Sequence, residues 1–161
     1  MSTRGTEQRS ASGRIVVGVD GSSHSEEGLR WALGQARLTG QPVEAVTSWS
    51  VPLPYGGMGG AAAVVALDWE GEATRALEDT VATAVDAPEA DRVSQRVVQG
   101  HPAQVLVDAA ADAALLVVGS RGRGGFTGTL LGSVSQNVIA RAACPVVVVR
   151  APVDPPERPG R

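Results

Sequence analysis

The 161-residue chain is predicted to fold as an α/β domain: a doubly wound, five-stranded parallel sheet with helices on both faces, Rossmann-like in architecture. Short apolar runs rich in valine alternate along the chain with segments of helical spacing. The run at residues 115–118 is apolar on both faces, as in a buried parallel strand. Aromatic residues make up only 3% of the chain, so small aliphatic side chains must fill the core. Right-handed crossovers then leave few arrangements other than a doubly wound sheet.

The first predicted unit is a strand over residues 15–19 that ends at Asp20 and leads into a helix. Ser22 or Ser23 is expected to cap this helix, because a hydroxyl at that position satisfies a free backbone N–H. Apolar residues recur at helical spacing as far as about residue 38. Gly40 then gives a typical stop signal.

The second strand is predicted over residues 42–49 and the second helix over residues 68–85, with Pro88 closing that segment. Residues 50–67 lie between them and contain prolines and a run of glycines. A loop of this length is unusual in a compact domain. We interpret it either as a flap over a site or as a plain variable crossover.

The third strand is predicted over residues 92–99, and Pro102 begins the third helix, where its missing N–H costs nothing. The fourth strand, residues 115–118, leads into a glycine-rich loop. The last helix is predicted from Ser133 to about Ala143, and residues 146–149 form the fifth strand.

These elements define one domain over residues 13–150. The polar residues 1–12 and the proline-rich residues 151–161 are expected to be disordered tails.

Composition argues against several classes of function. The net charge is −3 and all 14 basic residues are arginines scattered along the chain, so a nucleic-acid surface is not expected. No apolar run reaches the roughly 20 residues of a membrane span, and no signal peptide is recognisable, so we expect a cytoplasmic protein that does not bind membranes.

Cys144 has no second cysteine to pair with and is interpreted as a small packing residue. Neither histidine has partners at metal-ligand spacing.

The loop after the fourth strand carries the strongest functional signal. Gly119 and Gly122 are followed by Gly132 and Ser133, where the last helix begins. Glycine lets backbone N–H groups approach a ligand closely, and a neighbouring helix N-terminus attracts anions, phosphate above all. Glycine-rich loops without a ligand are also common, so the glycines alone leave both interpretations open.

Two familiar phosphate motifs are excluded. A Walker P-loop needs a lysine after its second glycine, and the chain contains no lysine. The Rossmann fingerprint follows the first strand, where this chain has Val19-Asp20-Gly21-Ser22.

The spacing Gly119-x2-Gly122-x9-Gly132-Ser133 resembles the ATP-binding signature of the universal stress protein family. Three further segments occur in the order that this family shows: Val19–Ser22, Gly100–Ala103 and Cys144–Val149. The resemblance extends over residues 14–150. It implies the strand order 3-2-1-4-5, which periodicity alone does not, and therefore a crevice at which Asp20 and Gly119 lie side by side.

The resemblance also implies roles for individual residues. Asp20 is expected to accept hydrogen bonds from ribose hydroxyls or the base, although a residue that only caps the helix would look the same in sequence. The backbone of Ser48 aligns with the adenine edge, and His101 is either at that edge or exposed and idle. Glycine N–H groups and serine hydroxyls are expected at the phosphates, with arginines adding charge. The candidate cofactor-binding residues are Asp20, Ser48, Gly119, Arg121, Gly122, Arg123, Gly132, Ser133, Val134 and Ser135.

The favoured function is an ATP-binding stress-response module that regulates association with an unidentified protein partner, with little or no turnover and with Mg²⁺ carried by the nucleotide. The rival is a slow ATPase or nucleotidyl transferase on the same scaffold, but no phosphate-bridging lysine, catalytic triad or carboxylate pair supports it. A third possibility is a dimeric interaction module that does not hold ATP. The resemblance further implies a homodimer through the fifth strand, formed by Pro145, Val146, Val147, Val148 and Val149.

Overall fold

The computed structural model describes residues 13–52, 67–123 and 130–152. Of the loop predicted at residues 50–67 as a flap or crossover, residues 53–66 lie outside these ranges. Outside them also lie the tail predicted at residues 1–12 and residues 153–161 of the tail predicted at residues 151–161.

Strands and helices alternate in the predicted order. The strands are β1 (Ile15–Gly18), β2 (Val43–Trp49), β3 (Val93–Gln99), β4 (Leu115–Gly119) and β5 (Val146–Val149). The described helices are α1 (Ser23–Thr39), α2 (Trp69–Ala84), α3 (Ala87–Ala90), α4 (Pro102–Ala109) and α5 (Ser133–Arg141). The strands are parallel and lie in the order β3-β2-β1-β4-β5, which confirms the predicted fold class and strand order.

Local signals set both ends of α1 where the sequence predicts them. Ser22 is the N-cap of α1, and its hydroxyl accepts the N–H of Ser25 at 3.2 Å. Gly40 follows α1 with a φ of 73°, a left-handed conformation that glycine adopts without steric cost. The boundaries of α1 therefore follow from short-range chemistry.

Pro88 differs from its prediction. Helix α2 ends at Ala84, and Pro88 lies in the first turn of the one-turn helix α3 instead of in a closing loop. A proline fits there because the first N–H groups of a helix have no intrahelical acceptor. The described part of the chain thus has five helices, where four were predicted.

The sheet separates two apolar layers, because successive residues of a strand face opposite sides. Val17 and Val117 pack against α1 and α2 on one face. Val16 and Leu116 pack against α4 and α5 on the other. Small aliphatic residues dominate both layers, as composition predicts. Among the described residues, no helix has the length and apolar character needed to cross a membrane.

Candidate functional site

A cavity of about 430 Å³ opens at the carboxyl ends of the central strands. Strand β1 pairs with β2 on one side and with β4 on the other, so the winding direction reverses between β1 and β4. Doubly wound sheets bind ligands at this switch point, and the volume lies within the range of small-molecule sites.

All ten candidate residues from the sequence line this one cavity: Asp20, Ser48, Gly119, Arg121, Gly122, Arg123, Gly132, Ser133, Val134 and Ser135. Residues separated by more than a hundred positions are brought together because β1 and β4 are neighbours in the sheet. His101 is exposed and does not line the cavity, whereas the next residue, Pro102, does.

Sequence reasoning missed the apolar wall of the cavity. Val46 ends the core-facing part of β2, and Val105 and Leu106 come from the inner face of α4. A Cβ on Gly18 would lie 2.8 Å from Leu106 Cδ1, so glycine at this position allows Leu106 to pack closely. The apolar wall could have been predicted from the strand order and from the apolar face of the third predicted helix, because together they place that face beside the cavity. The lining residues not predicted are Gly18, Val19, Ser25, Val46, Pro102, Val105, Leu106, Val118, Leu131 and Gln136.

The carboxylate of Asp20 connects the end of β1 to the glycine loop. Its Oδ1 accepts hydrogen bonds from the backbone N–H of Ser22 at 3.0 Å and from the Ser22 hydroxyl at 2.6 Å. Its Oδ2 accepts the backbone N–H of Arg123 at 3.1 Å. Because Ser22 is the N-cap of α1, Asp20 is not the helix cap that the sequence left open as an alternative. It positions the loop and lines the cavity at the same time.

Two of the loop glycines are also required by contacts within the protein. A Cβ on Gly122 would lie 2.6 Å from Asp20 Oδ2, and a Cβ on Gly119 would lie 2.7 Å from His24 Cβ. By contrast, a Cβ on Gly132 would meet no atom closer than 3.5 Å. The sequence analysis attributes all three glycines to ligand approach, and the structure adds tight internal packing at Gly119 and Gly122.

Two groups expected to bind phosphate make internal hydrogen bonds instead. The N–H of Gly132 donates to the carbonyl of Ser120 at 2.7 Å. The hydroxyl of Ser135 donates to the carbonyl of Gly119 at 2.7 Å, and Ser135 is buried. In this structure these groups hold the loop against α5, a tertiary arrangement that residue spacing does not reveal.

The first turn of α5 places N–H donors beside the cavity that have no partner within the helix. The N-cap position is Gly132, which offers no side-chain cap. The N–H groups of Ser133, Val134 and Ser135 have no intrahelical acceptor, because they belong to the first turn. A helix N-terminus of this kind favours an anion through its free N–H groups and its dipole.

Two arginines add positive charge to the same rim. Arg121 is half-buried and Arg123 is exposed, and both line the cavity. A Cβ on Gly21 would lie 2.8 Å from a terminal nitrogen of Arg123, so that guanidinium rests against the backbone at Gly21. Within residues 13–52, 67–123 and 130–152, neither arginine forms an ion pair.

Neither a metal cluster nor a reactive thiol is evident in the described part of the chain. No group of three histidine, cysteine or acidic side chains there has the geometry to hold a metal ion. Cys144 does not line the cavity, and burial raises the pKa of its thiol, which disfavours the thiolate. This agrees with its interpretation as a packing residue.

Comparison with known sequences identifies close relatives. Residues 12–150 match the model of the universal stress protein family. A universal stress protein of Mycobacterium tuberculosis is 40% identical over 143 residues, which covers 84% of this chain and 45% of the relative. The chain thus spans about half the length of the curated relatives it matches.

Comparison with solved structures identifies the same fold. A universal stress protein in complex with cAMP superposes with a TM-score of 0.64 at 27% identity, covering 89% of this chain and 100% of that structure. A universal stress protein of Archaeoglobus fulgidus in complex with dAMP has a TM-score of 0.56 at 30% identity, covering 86% and 98%. With the family match and the shared fold, the chain belongs to the universal stress protein family.

Proposed function

We propose that the cavity binds an adenine nucleotide, and specifically ATP. The observation that carries this proposal is the convergence of all ten candidate residues on one cavity at the switch point of the sheet. The relatives solved with cAMP and dAMP bind molecules that share adenine with a phosphate group. The cavity offers an apolar wall for a base and a rim of free N–H groups and arginines for phosphates.

Magnesium would enter as part of the nucleotide. Mg²⁺ prefers one or two carboxylates together with phosphate oxygens and water. Asp20 is the acidic side chain among the described lining residues, and both of its oxygens already accept hydrogen bonds, so the lining fits an ion held mainly by phosphate oxygens and water. Magnesium would neutralise part of the phosphate charge there.

The bound nucleotide is proposed to act as a regulatory signal and not as a substrate that turns over rapidly. Backbone N–H groups stabilise a triphosphate about equally in the ground and transition states, and such uniform binding does not accelerate chemistry. Asp20 is occupied by Ser22 and Arg123, so it is poorly placed to orient an attacking water. A nucleotide-dependent stress-response module is therefore favoured over an ATPase or nucleotidyl transferase.

We further propose a homodimer through β5. The two edge strands of the sheet differ in chemistry: β3 exposes Ser94, Gln95 and Arg96, whereas the four residues of β5 are half-buried valines. An apolar edge needs a cover, because its unpaired backbone groups invite another strand. A second copy of β5 in antiparallel pairing supplies that cover with two-fold symmetry.

A purified preparation tests nucleotide binding directly. After denaturation, mass spectrometry should identify an adenine nucleotide that co-purifies, and calorimetry should then measure ATP binding to the emptied protein. If no nucleotide is released and the folded protein does not bind ATP in the titration, the proposal is overturned.

Ser133→Pro tests the phosphate end of the site. Proline is tolerated at the first position of a helix, and Gly132 has the extended φ and ψ of −72° and 165° that a residue before proline needs. The change removes one N–H and should weaken ATP binding about tenfold or more, the typical loss for a hydrogen bond to a charged group. Ser133→Ala keeps the N–H and is the matched control. Equal affinities for the two variants would show that this N–H does not contact the nucleotide.

A further inference from the structure

Ser120 lies behind the cavity and contacts three elements of the fold. It is only 2% exposed and is not a lining residue. Its N–H donates to the carbonyl of Val149 at 2.7 Å, and its carbonyl accepts the N–H of Gly132 at 2.7 Å. Its hydroxyl lies 3.1 Å from Nδ1 of His24. One buried serine therefore joins the end of β5, the start of α5 and the start of α1.

His24 completes this connection. Its Nδ1 accepts the backbone N–H of Ala151 at 3.0 Å, directly after β5. A backbone amide can only donate, so Nδ1 is the acceptor in this contact. In a regular parallel ladder the N–H of Ala151 would bond to the carbonyl of Ser120. That carbonyl is occupied by Gly132, and His24 provides the substitute acceptor.

Close packing links the same residues to the glycine loop. A Cβ on Gly119 would lie 2.7 Å from Cβ and 2.9 Å from the carbonyl carbon of His24. The loop therefore cannot move toward α1 without displacing His24, because packed interiors deform little. Gly119 and Arg121 line the cavity on either side of Ser120.

We propose that Ser120 and His24 are positioning residues that couple occupancy of the cavity to the end of β5. The proposal rests on the nucleotide-binding function proposed above. A ligand that binds N–H groups of the loop or of α5 changes the hydrogen bonds around Ser120, and the change reaches Val149 and Ala151. The nucleotide would then change the affinity of the β5 end for a partner by some factor. By thermodynamic reciprocity, the partner changes the affinity for the nucleotide by that same factor.

The test follows backbone amide signals of the full chain by NMR during titration with ATP and Mg²⁺. Both Gly122, beside the ligand, and Ala151, after β5, should shift in the wild-type protein. His24→Ala removes the acceptor, and the Ala151 response should then fall about fivefold or more while Gly122 still responds, with ATP affinity reduced about fivefold. His24→Asn should restore both, because its side-chain oxygen takes the place of Nδ1.

The outcomes separate this proposal from the one on which it rests. If Gly122 responds to ATP and Ala151 does not, or if His24→Ala leaves the Ala151 response intact, the coupling is disproved although nucleotide binding stands. If no amide responds, both proposals fail. Ser120→Ala provides a second variant should His24→Ala not fold, with circular dichroism as the control for folding.

Discussion

At the scale of single residues, Asp20 shows how one side chain serves both fold and site. Its carboxylate holds the N–H of Arg123, 103 positions along the chain, and also lines the cavity. The family resemblance assigns nucleoside recognition to Asp20, so the proposed recognition and the position of the glycine loop would depend on the same two oxygens. If a ligand forms a hydrogen bond to one of these oxygens in place of a protein donor, the other hydrogen bonds of the loop must keep the loop in position.

Gly122→Val should abolish ATP binding in a folded protein. A Cβ at this position lies 2.6 Å from the carboxylate of Asp20, so a branched side chain displaces Asp20 and the loop together. Calorimetry with ATP measures the loss, and far-UV circular dichroism controls for the fold. Gly34→Ala in α1 is the control for a glycine change outside the cavity, since its Cβ would meet no atom within 4 Å and should leave binding intact. Unaltered affinity in folded Gly122→Val would remove this loop from the site.

Gly119→Ala should destabilise the protein by about 1–3 kcal/mol, the typical cost of overpacking, because its Cβ collides with His24. Gly34→Ala in α1 is the contrasting change. A Cβ there meets no atom within 4 Å, and alanine in a helix interior should add about 1 kcal/mol of stability over glycine. Urea denaturation measures both free energies of unfolding. A Gly119→Ala protein as stable as the wild type would refute the close approach of α1 to β4.

At the scale of elements, the helices and strands differ in how far short-range signals define them. Ser22 and Gly40 bound α1 as the sequence predicts, because a cap and a left-handed glycine act within a few residues. The sequence did not predict the one-turn helix α3, because a proline such as Pro88 is typical both of the residues that follow a helix and of the first turn of a helix. For β5, the run of valines in the sequence identifies an apolar strand. The register of β5 on β4 identifies which of its backbone N–H and C=O groups point to the open edge.

The register of β5 predicts how the homodimer can be broken. The carbonyls of Pro145 and Val149 accept N–H groups of β4 and the residue after it, so alternate residues, including Val148, direct their N–H and C=O to the open edge. Val148→Pro should yield a monomer, since it removes an outward donor and leaves the β4–β5 ladder in place. Light scattering measures the mass, and Val147→Pro is the contrast, expected to damage the sheet itself. A Val148→Pro dimer of normal mass would place the interface elsewhere.

At the scale of the whole molecule, the proposal of a regulatory site rests on a described cavity lining that offers groups suited to bind phosphates and few suited to promote their hydrolysis. Hydrolysis needs charge stabilisation at the departing phosphoryl group and a residue that orients water, each worth orders of magnitude in rate. Arg121 or Arg123 is able to provide the first. Asp20 is the acidic residue among those lining the cavity, and its oxygens already accept hydrogen bonds.

Turnover of ATP should therefore be far below the roughly 10 per second typical of enzymes. A phosphate-release assay measures the rate, and the Gly122→Val variant controls for contaminating ATPases. If the wild-type protein releases phosphate rapidly and the Gly122→Val variant does not, the protein is an ATPase and the proposal of a regulatory module is wrong.

The sequence alone determined the alternation of strands and helices, the caps of α1 and the glycine-rich loop, because these depend on short-range periodicity, on glycine and proline chemistry and on residues of fixed spacing. It supplied the strand order and the candidate roles of Asp20 and Ser48 only through family resemblance. Only the tertiary structure decided which hydrogen-bonding groups near the cavity already have partners within the protein. Ser120 meets His24 across 96 positions and Ala151 meets His24 across 127, contacts that no local pattern encodes. Hydrogen bonds between distant residues depend on how parallel strands bring their ends together, and that geometry exists only in the folded chain.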